Sequence, residues 1–308
     1  MRQVSVLARA TACAAAFLPA AQAVADPVGI SYAPRDRRVQ ITVPSGVGPL
    51  DPPDWLTRLD DADGAAVFEG TLPDAGAPGA ERGATDAEAF LLGALGWLPR
   101  SGAKGPDLRL SVPAPLRAVA TGALTAEETA GGRYTARVRL HGAPGRNGVF
   151  FGPYETAARD IALGERTVTV RTHFKAAQAR HAAAYLDAGA RHIARFDARI
   201  GPYPHDSFAV ISAPIPVGYG LPGATYVAEQ ILGHPYMTGR ALAHEVLHVW
   251  WGGAVGVDHA RGNWAEGLTT YQADHALAAR RDPDAARAMR RDWLSALSRL
   301  PPGADRPL

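Results

Sequence analysis

Up to about residue 172, apolar and polar positions alternate in short runs. Val39-Gln40-Ile41-Thr42-Val43 has a period of two. So do Leu108 to Val112, Tyr134 to Leu140 and Thr167 to Arg171. That period puts alternate side chains on opposite faces of an extended chain, so each run predicts a half-buried strand. Asp51-Pro52-Pro53-Asp54 and the Gly/Pro/Asp-rich stretch from Pro73 to Gly83 separate the runs as turns. Short strands at regular spacing predict an antiparallel sandwich or barrel-like sheet.

Beyond residue 172 the pattern changes. Lys175 to Ile200 is Ala-rich and free of proline, and Ala182, Tyr185, Leu186, Ile193, Phe196 and Ile200 form an apolar stripe. This predicts a helix, ended by Gly201-Pro202. Phe208 to Ile211 reads as a buried strand. A Gly/Pro-rich stretch from Pro214 to Gly223 leads to a second short strand at Ala224 to Val227. Thr238 to Trp251, Trp264 to Arg281 and Pro283 to Leu300 have helical periodicity. The expected fold class is α+β, with a β-rich part over 26–172 and an α-rich part over 173–308. There is no internal repeat and no heptad pattern.

Composition narrows the function classes. Net charge is +2 over 308 residues, which offers nucleic acid no electrostatic footprint. The first 25 residues read as a secretory signal: Arg2 and Arg9 precede an apolar run from Ala10 to Ala21, and Ala21-Gln22-Ala23 and Ala23-Val24-Ala25 fit small-x-small cleavage. The run is too short to span a bilayer and contains Pro19. A periplasmic or secreted protein with no stable membrane span is therefore expected. Removing the signal removes Cys13, the only cysteine, so any metal must be held by His and carboxylate groups.

Such groups occur together in His244-Glu245-Val246-Leu247-His248. On a helix, residues four apart share a face, so two imidazoles can reach one Zn²⁺. Glu245 lies beside the first ligand, where a carboxylate can take a proton from the attacking water. A catalytic site needs a third protein ligand. Glu266 is the candidate; it opens the next helix in Asn263-Trp264-Ala265-Glu266-Gly267-Leu268, with seventeen residues between it and His248. One zinc ion is expected.

His244 to Gly252, followed by Asn263 to Tyr271, resembles the M1 aminopeptidase family of gluzincin metallopeptidases. Trp97-Leu98-Pro99, the strand pair from Leu108 to Leu124, and Gly201-Pro202-Tyr203-Pro204 extend the resemblance over roughly residues 90 to 300. It implies an N-terminal β-sandwich and a partial thermolysin-like catalytic domain that hydrolyses peptide bonds. The His248 to Glu266 interval is one residue shorter than usual in that family. Where the family carries the glutamate that binds the substrate's amine, this chain has Gly218-Tyr219-Gly220-Leu221, whose backbone is expected to receive a peptide as an added strand. Glu229, nearby in sequence, gives no reason to take the amine-binding role. The family's oxyanion-stabilising tyrosine has no match, and the tail from Pro301 to Leu308 reads as a loop cut mid-domain. The implied activity is accordingly weakened. Endopeptidase activity and a non-catalytic zinc- or peptide-binding role are the alternatives.

Other residues receive plainer readings. Tyr271 is expected in the core, and Trp250 and Trp251 as packing for the zinc helix. His234, His259 and His275 read as surface or loop histidines. Asp274 is either a partner for a ligand histidine or part of a solvated helix face. Arg287, Arg290 and Arg291, close to Asp284 and Asp292, read as an exposed face.

Overall fold

The computed structural model describes residues 26–301, apart from 60, 62, 77–79, 100–104, 143, 216–217, 259 and 261. The expected signal segment, residues 302–308 of the tail and His259 lie outside the described residues. Sixteen strands are described. In chain order they are β1 (Val28–Ala33), β2 (Arg38–Val43), β3 (Thr57–Arg58), β4 (Ala66–Thr71), β5 (Arg82–Ala84), β6 (Ala89–Leu92), β7 (Asp107–Pro113) and β8 (Arg117–Ala120). Then come β9 (Gly122–Ala130), β10 (Arg133–Leu140), β11 (Gly148–Gly152), β12 (Tyr154–Leu163), β13 (Arg166–Lys175), β14 (Ser207–Ala213), β15 (Tyr219–Leu221) and β16 (Ala224–Ala228).

The first eleven strands form two sheets, ordered β3-β4-β2-β1-β7-β10-β9 and β5-β6-β11-β8. Inward residues of both sheets share one core, with Ile30, Tyr32, Leu108 and Val138 from the first and Leu91, Val149 and Phe151 from the second. This is the sandwich that the alternating runs predict. One pair departs from the antiparallel expectation: β1 runs parallel to β7, pairing Val28 with Leu108 and Ile30 with Leu110.

The third sheet, β12-β13-β14-β16-β15, moves the boundary expected at 172. Alternation marks Thr167 to Arg171 as a strand but does not say which sheet it joins. Val168 and Val170 pack with Tyr185, Ile193 and Phe196 of helix α1 (Ala182–Ile200), not with the sandwich core. The hairpin β12–β13 therefore belongs with the α-rich part, and the change of sheet falls between Gly152 and Tyr154. Helix α1 connects β13 to the parallel strand β14, a βαβ crossover. The residues just before it, Ala176–His181, form a tighter turn in place of the continuous helix predicted from Lys175.

The remaining helices are α2 (Leu242–Leu247), α3 (Trp264–Thr269), α4 (Ala276–Arg281) and α5 (Pro283–Ser298). Met237–Ala241 leads into α2 as a wide turn, and Thr270–His275 joins α3 to α4 in the same way. The zinc-motif helix ends near His248 instead of reaching Trp251. Asp282 caps α5 by accepting from the Asp284 N–H, with Pro283 in the first turn.

A third apolar cluster joins the sandwich to the mixed sheet. Phe90, Val119 and Phe150 pack against Ile211, Leu221 and Tyr226. Each fully buried side chain of this kind stabilises the assembly by roughly 1.5–3 kcal/mol. Polar contacts cross the same seam. Lys175 of β13 pairs with Glu88 at 2.9 Å and also with Glu229, and Arg139 pairs with Asp206 at 2.6 Å. No described helix is long and apolar enough to cross a membrane.

Candidate metal centre

Helix α2 is buried along Leu242, Ala243, Val246 and Leu247. Those positions pack into the second core with α1. The i, i+4 spacing then leaves His244 and His248 together on the remaining face. Their Nε2 atoms lie 3.1 Å apart. Glu266, in the first turn of α3, faces both: one carboxylate oxygen is 3.4 Å from His244 Nε2 and the other is 3.2 Å from His248 Nε2. The loop that is one residue short therefore still delivers Glu266 to the histidines.

These distances test the fit to a metal. Ligand atoms held tetrahedrally at about 2.0–2.1 Å from Zn²⁺ are about 3.3 Å from one another. The observed separations of 3.1, 3.2 and 3.4 Å match that edge. Among the described residues, His244, His248 and Glu266 are the one group of three or more potential ligands that converges in this way. Two imidazoles and one carboxylate are a zinc donor set with a position left for substrate.

The outer ring nitrogens are also fixed. His244 Nδ1 lies 3.0 Å from Asp274 Oδ2, and His248 Nδ1 lies 3.1 Å from the Trp251 carbonyl oxygen. Both contacts hold Nδ1 as the protonated nitrogen and leave Nε2 for a metal. Asp274 is thus a partner of His244 and not part of a solvated face. Burial works against a charged His244, but Asp274 together with Glu245 and Glu266 outweighs it and the pKa is raised. Burial lowers that of His248. Glu245 is largely enclosed, and burial pushes its carboxyl up to about 7.

Other expectations divide. Trp250 packs as predicted, edge-on to Phe196 and Tyr203, with its indole N–H donating to the Gly201 carbonyl at 3.1 Å. Trp251 is half-buried beside the site and donates to Gln272. Tyr271 is not in the core: it is 53% exposed. It lies midway between the buried Thr269 and Ala273, which on a helix is the opposite face. His275 is not a surface histidine. It is buried under α5, stacked on Tyr271, near Trp293, and 2.6 Å from Arg290. His234 is exposed beside Tyr236. Glu229 is tied to Lys175 and takes no part in the metal cluster.

His244, Glu245, His248 and Glu266 line a hollow of about 640 Å³, together with Gly218, Tyr219 and Gly220. Leu221 does not line it. It is buried and faces a second hollow of about 280 Å³ beyond β15. Gly220 lies against the motif helix, where a Cβ would come 2.9 Å from the Glu245 carboxylate. Arg146, Glu81 and Leu92 reach the hollows from the sandwich. No short motif marks these three in the sequence.

No protein-family model matches the sequence, and no curated protein matches it. Solved structures do. An M1 zinc metallopeptidase from Deinococcus radiodurans has a TM-score of 0.63 at 21% identity, over 91% of this chain and 76% of its own. A variant of a two-domain M1 zinc metallopeptidase bound to L-arginine has a TM-score of 0.64 at 21% identity, covering 89% and 74%. A D. radiodurans variant bound to a Tyr-Ser-Ala substrate gives 0.62 at 21%, covering 89% and 74%. The chain thus has an M1-like fold, a β-rich N-terminal part followed by a peptidase-like α+β part.

Proposed function

We propose that the chain is a zinc-dependent metallopeptidase that hydrolyses peptide bonds in the larger hollow. The observation that carries this is the triangle of His244 Nε2, His248 Nε2 and Glu266 oxygens at tetrahedral-edge distances, with Glu245 in the same hollow. Bound by these three residues, one zinc ion supplies Lewis acidity towards a scissile carbonyl. Glu245 takes a proton from the attacking water and passes it to the leaving amine. A carboxyl that burial holds near neutral suits both halves of that transfer. The substrate lies along Gly218, Tyr219 and Gly220, on the open edge of β15, and makes backbone hydrogen bonds as an added strand. Leu221 turns away from this strand's path and lines the adjoining hollow.

The M1-like fold supports an aminopeptidase-like form of this activity. A second reading, endopeptidase, rests on the stretch at β15, where Gly218-Tyr219-Gly220-Leu221 offers a free amine no carboxylate, although Glu81 lines the adjoining hollow. The opening segment of the sequence supports an exported, periplasmic or secreted protein. The test is hydrolysis of paired peptides with free and acetylated N-termini, before and after chelation and after return of zinc. Zinc-dependent cleavage of either peptide supports the peptidase. Cleavage of free peptides alone removes the endopeptidase form, and zinc-independent cleavage or none removes the proposal.

A further inference from the structure

We infer that Arg146 is a specificity residue that recognises a carboxylate on the substrate, an assignment that rests on the peptidase reading above. Arg146 ends a short helical turn just before β11, on the sandwich side of the cleft. Its guanidinium donates across the seam to the carbonyl of Gly252, in the loop that follows the zinc-motif helix. That contact holds it where the two hollows meet, and it lines both. Among the described residues it is the only Lys or Arg lining either one.

Its partnering differs from that of several other described arginines. Arg37, Arg139, Arg159 and Arg166 each pair with an aspartate. The described partner of Arg146 is a neutral carbonyl, which uses one of five N–H donors and none of the charge. Glu81, Glu245 and Glu266 line the same hollows, yet none forms an ion pair with it. A planar fork with unused donors and an uncompensated charge matches a carboxylate in shape and sign. The apolar wall of the smaller hollow supplies no competing cation. The carboxylate comes either from the C-terminus of a short peptide or from an acidic side chain.

Calorimetric binding separates these sources and does not depend on turnover. The zinc-loaded 308-residue chain carrying Glu245→Gln is titrated with trialanine, trialanine amide, Ala-Asp-Ala amide and Ala-Asn-Ala amide. In at least one pair the carboxylate peptide should bind about tenfold or more tightly than its uncharged counterpart, the scale of charge-assisted hydrogen bonds. Preference for trialanine over its amide identifies the terminal carboxylate, and preference for Asp over Asn identifies the side chain. Arg146→Met should erase the preference and Arg146→Lys should retain part of it, with thermal melts confirming that both fold. Equal binding within both pairs, no binding of any peptide, or a preference that survives Arg146→Met overturns the assignment. Absence of hydrolysis by the wild-type chain, alongside an intact Arg146-dependent preference, would count against the peptidase reading alone.

Discussion

The two walls of the cleft are built on different terms. The helical wall takes its candidate groups from two compact segments: His244, Glu245 and His248 on one turn of helix, and Glu266 with Asp274, the partner of His244, on the next helical stretch. The opposite wall is assembled from Glu81, Leu92 to Ala94, Gly145 to Asn147, Ile215, and Tyr219 to Leu221 with Tyr226, which meet only because the sandwich docks on the mixed sheet. Helical geometry fixes the first set at short range. The second exists only through tertiary packing. If this division is also one of labour, the helical wall sets chemistry and metal affinity, and the strand wall sets which substrate is held.

The largest effect that could break that division is on turnover. Glu245→Gln should lower kcat by about 10²–10⁴, the usual contribution of a general acid–base group. Zinc content, read by atomic absorption, should stay at one per chain, because Glu245 is not among the three converging ligands. Unchanged kcat would return Glu245 to a structural role. Asp274→Asn tests the support behind His244. Losing such a partner weakens metal affinity by about 10–100-fold, measurable by competition with a chelator. Unaltered affinity would mean that the 3.0 Å contact does not orient the ring.

Gly220→Ala probes the point where the walls touch. The new Cβ would lie 2.9 Å from the Glu245 Oε2 and 3.3 Å from the His248 Cβ. The flexible carboxylate must shift by some tenths of an ångström and the His248 Cβ contact must ease slightly, whereas no contact is made with His244 or Glu266. Displacements of this size cost about tenfold in rate. The expectation is lower kcat with unchanged zinc content. A rise in KM alone would instead assign Gly220 to substrate binding and sharpen the division between the walls.

What was legible in the sequence follows the same division. The two histidines could be read because spacing on a helix dictates which groups share a face, Glu245 from the motif that they frame, and Glu266 from the segment that opens the next helix and its family resemblance. The sandwich could be read because alternation reports one buried face. Sheet membership could not: Thr167 to Arg171 alternates equally well in either sheet, and only the packing of Val168 and Val170 against α1 decides it. Tyr271 differs from its expectation because an aromatic in a helical run reads as core, although its spacing from Thr269 and Ala273 puts it on the outer face. His275 was misplaced because its cover comes from α5. Arg146 carried no signal, since its meaning depends on Gly252, more than a hundred residues away.

The smallest expected effect lies at the seam that brings the walls together. Glu88 is 3% exposed, and burial lifts its carboxyl from an ordinary 4.5 to about 7, against the pull of Lys175. In the unfolded chain it returns to its ordinary value. Between about pH 4.5 and 7 the folded state therefore holds a proton that the unfolded state has released, so this group lowers stability as pH rises through that window. His173 and His205 act in the opposite sense. Burial depresses both to about 3, so the unfolded chain binds their protons first, and they favour folding as pH rises towards 6.5. A pH profile of the wild-type chain alone mixes these slopes. The difference between wild type and Glu88→Gln cancels the histidines and leaves Glu88. Urea unfolding at pH 5 and pH 7 should show the variant gaining about 1–3 kcal/mol relative to wild type over that interval. The same pH slope in both proteins would mean that Glu88 stays ionised in the folded seam, held by Lys175 at 2.9 Å, and that the seam joins the two walls as a permanent ion pair.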